Sequence, residues 1–248
     1  MNQSFFIGAL GAHQQQKSLN VTSNNLANIN TQGFKGERSR FASLMYQDLK
    51  NADNGQVRSG TGTHVLTTDT NFRHGGGMTT GRPQDYMIEG DGFFALADLQ
   101  TGEISLTRVG AFSMASKQEQ TGEFDEEGNP IMELIYYLSD GQGRFVMGKD
   151  GNMIKMTDPN EKLEVGVFDY INYNGMEHKD QTRFIPVDKN GGLMRGTGVA
   201  VNGMLEASNV DLAEEMTKVI ESQRAYSMAL KMMTTSDEIE STINSLRG

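Results

Sequence analysis

The chain has 248 residues and a mass of 27.3 kDa, 36% of it apolar, with a mean hydropathy of −0.50 and a formal net charge of −10. No apolar run approaches the ~18 residues that suggest a bilayer span, the acidic balance disfavours nucleic acid or any other polyanion as a partner, and the lack of cysteine excludes disulfides and thiolate-bound metal. Between residues 55 and 203 lie 24 of the 29 glycines and all four prolines, so helical ends should bracket a turn-rich centre.

The start, MNQSFFIGALGAHQQQ, has no basic residue before its apolar part and runs into glutamines, so no Sec signal peptide is expected. From Ser4 to Ile29, Phe5, Ala12, Leu19 and Leu26 recur every seven residues, a thin helical stripe that needs tertiary or quaternary packing to persist. The stripe stops at SNNLANINTQGFK. Asparagine side chains compete for nearby backbone, and glycine can close a helix in the left-handed conformation. Asn24, Asn25, Asn28 and Gly33 therefore predict a helix stop, with Phe34 opening the next segment and the N-terminal helix covering 1–33.

Residues 34–80 read as a connector. Phe41, Leu44, Met45 and Leu49 stand at helical spacing, which predicts a short helix followed by an extended stretch. From 81 to 204, short runs such as DYMIEGDGFFALAD, ISLTRVGAFSM and PIMELIYYLS alternate with Gly-Asp and Gly-Asn turns, the pattern of five or more strands joined by hairpins. EQTGEFDEEGNP within them reads as a solvated acidic loop. The last segment, 205–248, opens on SNVD, an acidic variant of the capping box at Ser208, and continues as a long helix. Leu212, Met216, Val219, Gln223, Tyr226, Leu230 and Met233, spaced alternately four and three, form a coiled-coil seam that Ile239, Ile243 and Leu246 resume after a register shift. The fold class is α+β: N- and C-terminal coiled-coil-forming helices bracketing a Gly-rich, mainly antiparallel β domain.

No catalytic constellation stands out. HGGG at His74–Gly77 could form an oxyanion hole, but no G-x-S-x-G nucleophile accompanies it, so the glycines read as a flexible bend. The four histidines are scattered without metal-ligand spacing, and no P-loop or dinucleotide fingerprint is present. Catalytic, cofactor and metal residues are therefore expected to be none, and the protein is not expected to be an enzyme. A secreted oligomeric β-domain binding module is the alternative from another class.

Three stretches, SNNLANINTQGFK, MIEGDGFFAL with LTRVGAFSM, and GMLEASNVDLAEEMTKVIESQRAYSMALKMMTTSDEIE, together resemble the bacterial flagellar rod and hook family, with the distal-rod branch most similar and the proximal-rod branch next. The resemblance implies a structural subunit of a tubular axial filament that transmits torque from motor to hook, or of the hook or proximal rod. Its helices would pack with those of other copies and of other rod and hook subunits. Leu19 and Leu26 would meet Leu212, Met216, Val219, Tyr226, Leu230 and Met233 of the same or neighbouring subunits, while Asn24, Asn25, Asn28, Gly33 and Phe34 mark the junction. It further implies passage through the flagellar type III export apparatus without a cleaved signal, with Phe41 and Met45 similar to the family's export-gate signal, and residence in the basal body outside the cytoplasmic membrane. A helical packing pair of Phe41 and Met45 is the competing reading.

Overall fold

The computed structural model describes residues 3–50, 56–99, 101–124, 130–158 and 161–247. Part of the acidic loop, 125–129, and part of the connector, 51–55, lie outside the described residues. The chain divides into two compact units. One holds residues 1–29, 36–72 and 210–248, and the other holds 30–35 and 73–209.

The first unit is built from helix α1 (Gln3–Ala27), helix α2 (Leu212–Arg247) and an antiparallel pair of strands, Glu37–Ser43 and Thr63–Thr70. The short helix expected around Phe41 is a strand. Half-buried Glu37 and Ser39 alternate with exposed Arg38 and Arg40, the pairing shifts register between Arg40 and Phe41, and the partner strand THVLTTDT is rich in the β-branched residues that favour a pleated surface. That partner lies some 25 residues downstream, where local helical spacing carries no information about it. α1 ends at Ala27, well before residue 33, and α2 begins at Leu212 rather than at 205. The α2 cap is Asp211, whose carboxylate accepts from the backbone N–H groups of Ala213 (2.8 Å) and Glu214 (3.3 Å); Ser208 is not the capping residue.

The second unit is antiparallel throughout its described pairings. Its main sheet runs Lys155–Met156, Pro130–Ser139, Phe145–Val146, Phe94–Ala97, Ile104–Thr107, Arg183–Ile185, Glu177–Lys179, with Ser113–Phe124 pairing the long Pro130–Ser139 strand. Smaller pairs join Tyr86–Glu89 to Val199–Asn202 and Gly77–Thr79 to Met204–Glu206. The core is apolar, with Ile88, Phe94, Leu96, Phe112, Leu138 and Val146 buried and Phe94 set edge-on to Phe112 at 5.2 Å.

Beside this core sits a buried ionic cluster. The Lys35 ammonium donates to Glu206 Oε1 at 2.6 Å and to the Arg73 carbonyl at 2.7 Å, and Arg108 donates to Glu206 Oε2 at 3.2 Å. Gly75 N–H completes the carboxylate at 2.9 Å. Burial pushes the Lys35 ammonium below its ordinary value, with Glu206 opposing. Burial alone would raise Glu206, but Lys35, the Gly75 amide and Arg108 outweigh it and hold the carboxyl below its ordinary value. With two cations on one carboxylate, the Glu206 charge is the secure member of the cluster.

A group held below its unfolded value adds stability above that value and loses it as pH falls through the folded one. Thermal melting should therefore be steady from neutral pH to about pH 5 and fall below about pH 4, near the ordinary carboxylate range. Glu206→Ala, which strands Lys35 and Arg108 in the interior, should cost about 3–5 kcal/mol. Lys35→Met should cost less, because Arg108 still faces the carboxylate. Denaturant midpoints of the two variants check the order.

Candidate functional site

The helices of the first unit pair antiparallel. Ser4 Oγ meets Ser236 Oγ at 3.1 Å at one end, and Asn25 Nδ2 donates to Glu215 Oε2 at 3.2 Å at the other. Between these ends, a Cβ placed on Gly8 would stand 3.2 Å from the Ala229 carbonyl and 3.0 Å from Met233 Cγ, so the backbones approach closely. Contacting positions on the two helices sum to about 240, which puts Ser4, Gly8, Gly11 and Asn25 of α1 against Ser236, Met233, Ala229 and Glu215 of α2. This seam is made mainly of small and polar side chains.

The large apolar residues expected to form the seam are distributed differently. Val219, Tyr226 and Met233 are half-buried, as are Leu19 and Leu26. Leu212, Met216 and Leu230 are exposed, and Ile220, Met228 and Met232 join them. A register based on apolar size predicted one continuous contact. Met233 lies at the close contact, against Gly8, while Glu215, Ala229 and Ser236 make the other contacts described and an apolar surface is left on α2.

Asn25 ties the unit together. It is 2% exposed, and its amide donates to the Glu37 carbonyl at 2.6 Å while accepting from the Glu37 N–H at 2.9 Å, as a strand neighbour would. The same amide reaches Glu215, whose other oxygen accepts from Lys218 at 2.8 Å. Burial works against the Lys218 charge, but Glu214 and Glu215 hold its ammonium above the ordinary value. Ser18 Oγ to Ser39 Oγ at 3.0 Å and Val65 N–H to Gln14 Oε1 at 2.9 Å fix α1 on the strand pair. Asn28 stops α1: its N–H donates to the Asn24 and Asn25 carbonyls and its side chain to Asn24 O at 2.9 Å, so these asparagines take up groups that a helix end leaves unmet. Asn24 is half-buried there.

Gly33 is not the cap of α1, which has ended six residues earlier. It does adopt positive φ, +65°, and its N–H donates to the Glu206 carbonyl at 2.8 Å. A Cβ there would meet Arg108 and Val109 backbone at 2.6 Å. Phe34 beside it is buried at 2% exposure. The HGGG glycines are likewise no loose bend at Gly75, whose amide is spent on Glu206 and where a Cβ would collide with the Ala207 carbonyl. Phe41, 44% exposed, and Met45, 88% exposed, belong to a strand and the segment after it, so they form no helical i,i+4 pair. The residues that sequence reasoning missed are the small seam positions and the pairing of Lys35 with Glu206. A four-three spacing of Ser4, Gly8, Gly11 and Ser18, Thr22, Asn25 was the available signal for the first.

Among the described residues no cluster of three or more His, Asp or Glu is placed to hold a metal, and no helix is long and apolar enough to cross a membrane.

Residues 7–35 match the family described as "Flagella basal body rod protein", and residues 201–246 match "Flagellar basal body rod FlgEFG protein C-terminal". Over nearly the whole chain, the sequence is similar to the flagellar basal-body rod protein FlgG of Buchnera aphidicola subsp. Schizaphis graminum (32% identity, 99% of this chain and 100% of the relative) and of Bacillus subtilis (31%, 96% and 97%). It is also similar to the rod protein FlgF of Mesorhizobium japonicum at 26% identity over 99% of both chains.

Gly33→Ala should destabilise the subunit, because roughly 1–2 kcal/mol of left-handed strain is joined by backbone contacts that no rotamer can relieve. Asn30→Ser, at an exposed position of the same stretch, should shift the denaturant midpoint by no more than about 0.5 kcal/mol. Equal midpoints for the two variants would contradict the assigned role of Gly33.

Proposed function

Because the chain belongs to the flagellar basal-body rod protein family and is a structural subunit of the flagellar rod, we propose that it polymerises through α1 and α2 into the helical wall of a tubular filament that carries torque from motor to hook. The observation that carries this reading is the apolar surface of α2. Leu212, Met216 and Leu230 are exposed in the single chain although they lie at coiled-coil spacing, and a water-exposed surface of that kind is stabilised by burial against another helix. Leu19, Leu26, Val219, Tyr226 and Met233, half-buried in one copy, would finish their burial there. Met216, Met228 and Met232 suit contacts that repeat imperfectly between copies, since methionine repacks easily.

The partners in this reading are further copies of the chain and the other rod and hook subunits. The distal segment is favoured over the proximal one by the higher identity to rod protein FlgG than to FlgF. The subunit would leave the cytoplasm through the flagellar type III export apparatus and reside in the basal body outside the cytoplasmic membrane. Phe41 and Met45, both exposed, would serve as the signal read during export. The asparagines and Gly33–Phe34 act as the junction where the chain passes from one unit to the other. In this reading the subunit is a structural protein and not an enzyme.

Met216→Asp and Leu230→Asp should leave the melting temperature of the isolated subunit within a few degrees of the parent chain and abolish rod assembly and swimming, since a carboxylate buried without a partner costs several kcal/mol at each repeat. Basal bodies of normal length built from either variant would contradict the interface. Separately, Phe41→Ala should lower the amount of subunit exported, measured in the medium of a strain that secretes rod proteins without assembling them. Export at the parent level would remove Phe41 from the signal.

A further inference from the structure

The chain crosses the boundary of the β-rich unit between residues 29 and 30, 35 and 36, 72 and 73, and 209 and 210. Segments at such boundaries are ordinarily polar, hydrated and free to bend. Here Phe34 and Lys35 are 2% and 1% exposed, and residues from three of the four crossings meet at one atom. The carbonyl oxygen of Arg73 accepts from Lys35 Nζ at 2.7 Å and from Asn209 Nδ2 at 2.9 Å. A carbonyl oxygen has two lone pairs, and these two donors occupy them.

The bonds around that atom link every pair of the three passages. Lys35 joins the first to the second at Arg73, and to the third at Glu206 Oε1, 2.6 Å away. Asn209 joins the third to the second with its side chain and to the first with its N–H, which donates to the Phe34 carbonyl at 3.4 Å. Further in, the Gly33 N–H donates to the Glu206 carbonyl and the Ala207 N–H to the Gly76 carbonyl, each at 2.8 Å. No passage can leave the other two without taking a partner from the buried Lys35 ammonium or the buried Glu206 carboxylate. Stranding a buried charge costs far more than losing an ordinary hydrogen bond, so partial opening is disfavoured.

We propose that Lys35, Arg73 and Asn209 form a clamp that makes the three passages open and close as one, so that a load arriving along any of them is shared by all three. Asn209 is its positioning residue. It stands between Glu206 and the α2 cap Asp211 and is bonded to both other passages. In a structural subunit, bonds that must break together resist a pull better than the same bonds broken one at a time. The clamp belongs to the single chain and does not depend on how copies meet.

Native-state hydrogen exchange of the full chain reads whether the passages open together. Asn209→Ala removes one donor at the Arg73 carbonyl and leaves the Lys35–Glu206 pair and the bonds of the Gly33 and Ala207 amides in place. The expected result is that the Gly33 and Ala207 amides exchange faster by a common factor of about ten or more. Leu138 and Ile154, whose N–H groups donate to the Ile154 and Val146 carbonyls, should keep the parent rates. Parent rates at Gly33 and Ala207 overturn the clamp, and so does an equal rise at Leu138 and Ile154, which marks a loss of stability throughout the unit. Asn209→Leu has roughly the volume of the parent side chain but no donor, and it should match Asn209→Ala; parent-like protection would assign the role to packing and overturn the clamp. Lys35→Met supplies a second arm. With the Lys35 bonds gone the passages already move apart, so adding Asn209→Ala should raise Gly33 exchange by no more than about threefold. Factors that simply multiply would show two independent bonds and overturn the proposal.

Discussion

The close approach of α1 and α2 is the constraint on which the helical unit depends. Gly8 faces Ala229 and Met233 across a distance that leaves little room for a larger side chain, Gly11 faces Ala229, and serines meet at the far end. Small residues allow backbones to come near but bury little apolar area, so the hydrophobic gain within one chain is modest. Apart from Met233, which lies over Gly8, the large apolar side chains of α2 named above lie away from that close contact. They are carried around the helices, which is why α2 in a single copy shows Leu212, Met216, Ile220 and Leu230 to solvent. The helix pair is closed where it touches itself and leaves apolar side chains exposed where it does not.

What fixes the arrangement is polar. Asn25 uses both amide hydrogens and its oxygen on Glu37 and Glu215, so sliding α1 against the strand or against α2 would leave buried donors and acceptors unmet. In the second unit Glu206 collects Lys35, Arg108 and the Gly75 amide, residues that come from three distant parts of the chain. Such a cluster adds little net stability over a well-packed apolar one, but its members are costly to bury singly. Gly33 and Lys35 both bond to Glu206, and Lys35 also to the Arg73 carbonyl, so the segment Asn30–Lys35 is tied to the strand that bears Glu206.

The sequence made some of this legible and concealed the rest for definable reasons. Segregation of glycine and proline located both helices and the β-rich centre, because those residues act locally on the backbone. Apolar periodicity weighs large side chains and so does not show the intrachain contact, which is made largely by small ones; Ser4, Gly8 and Gly11 look like weak helix formers until their partners are known. Gly33 is left-handed, as its place in the stretch predicts, yet the demand comes from the neighbouring Arg108–Val109 backbone and not from a helix end. The spacing around Phe41 reads as helical because its strand partner, Val65, is remote in sequence. Lys35 and Glu206, 171 residues apart, each look like an ordinary surface charge in their own motif.

Electrostatics bears on how such subunits can associate. Each copy carries a formal charge of −10, so bringing many together is opposed by mutual repulsion. At physiological ionic strength that repulsion is screened beyond about 8 Å, whereas apolar contact acts within van der Waals reach. Association therefore has to be driven by surfaces that are locally uncharged and able to exclude water. The exposed face of α2, with Leu212, Met216, Ile220 and Leu230, is a surface of that kind. A subunit with adhesive surfaces at only one end would stop at a pair. With complementary surfaces at both ends, every addition recreates the site for the next.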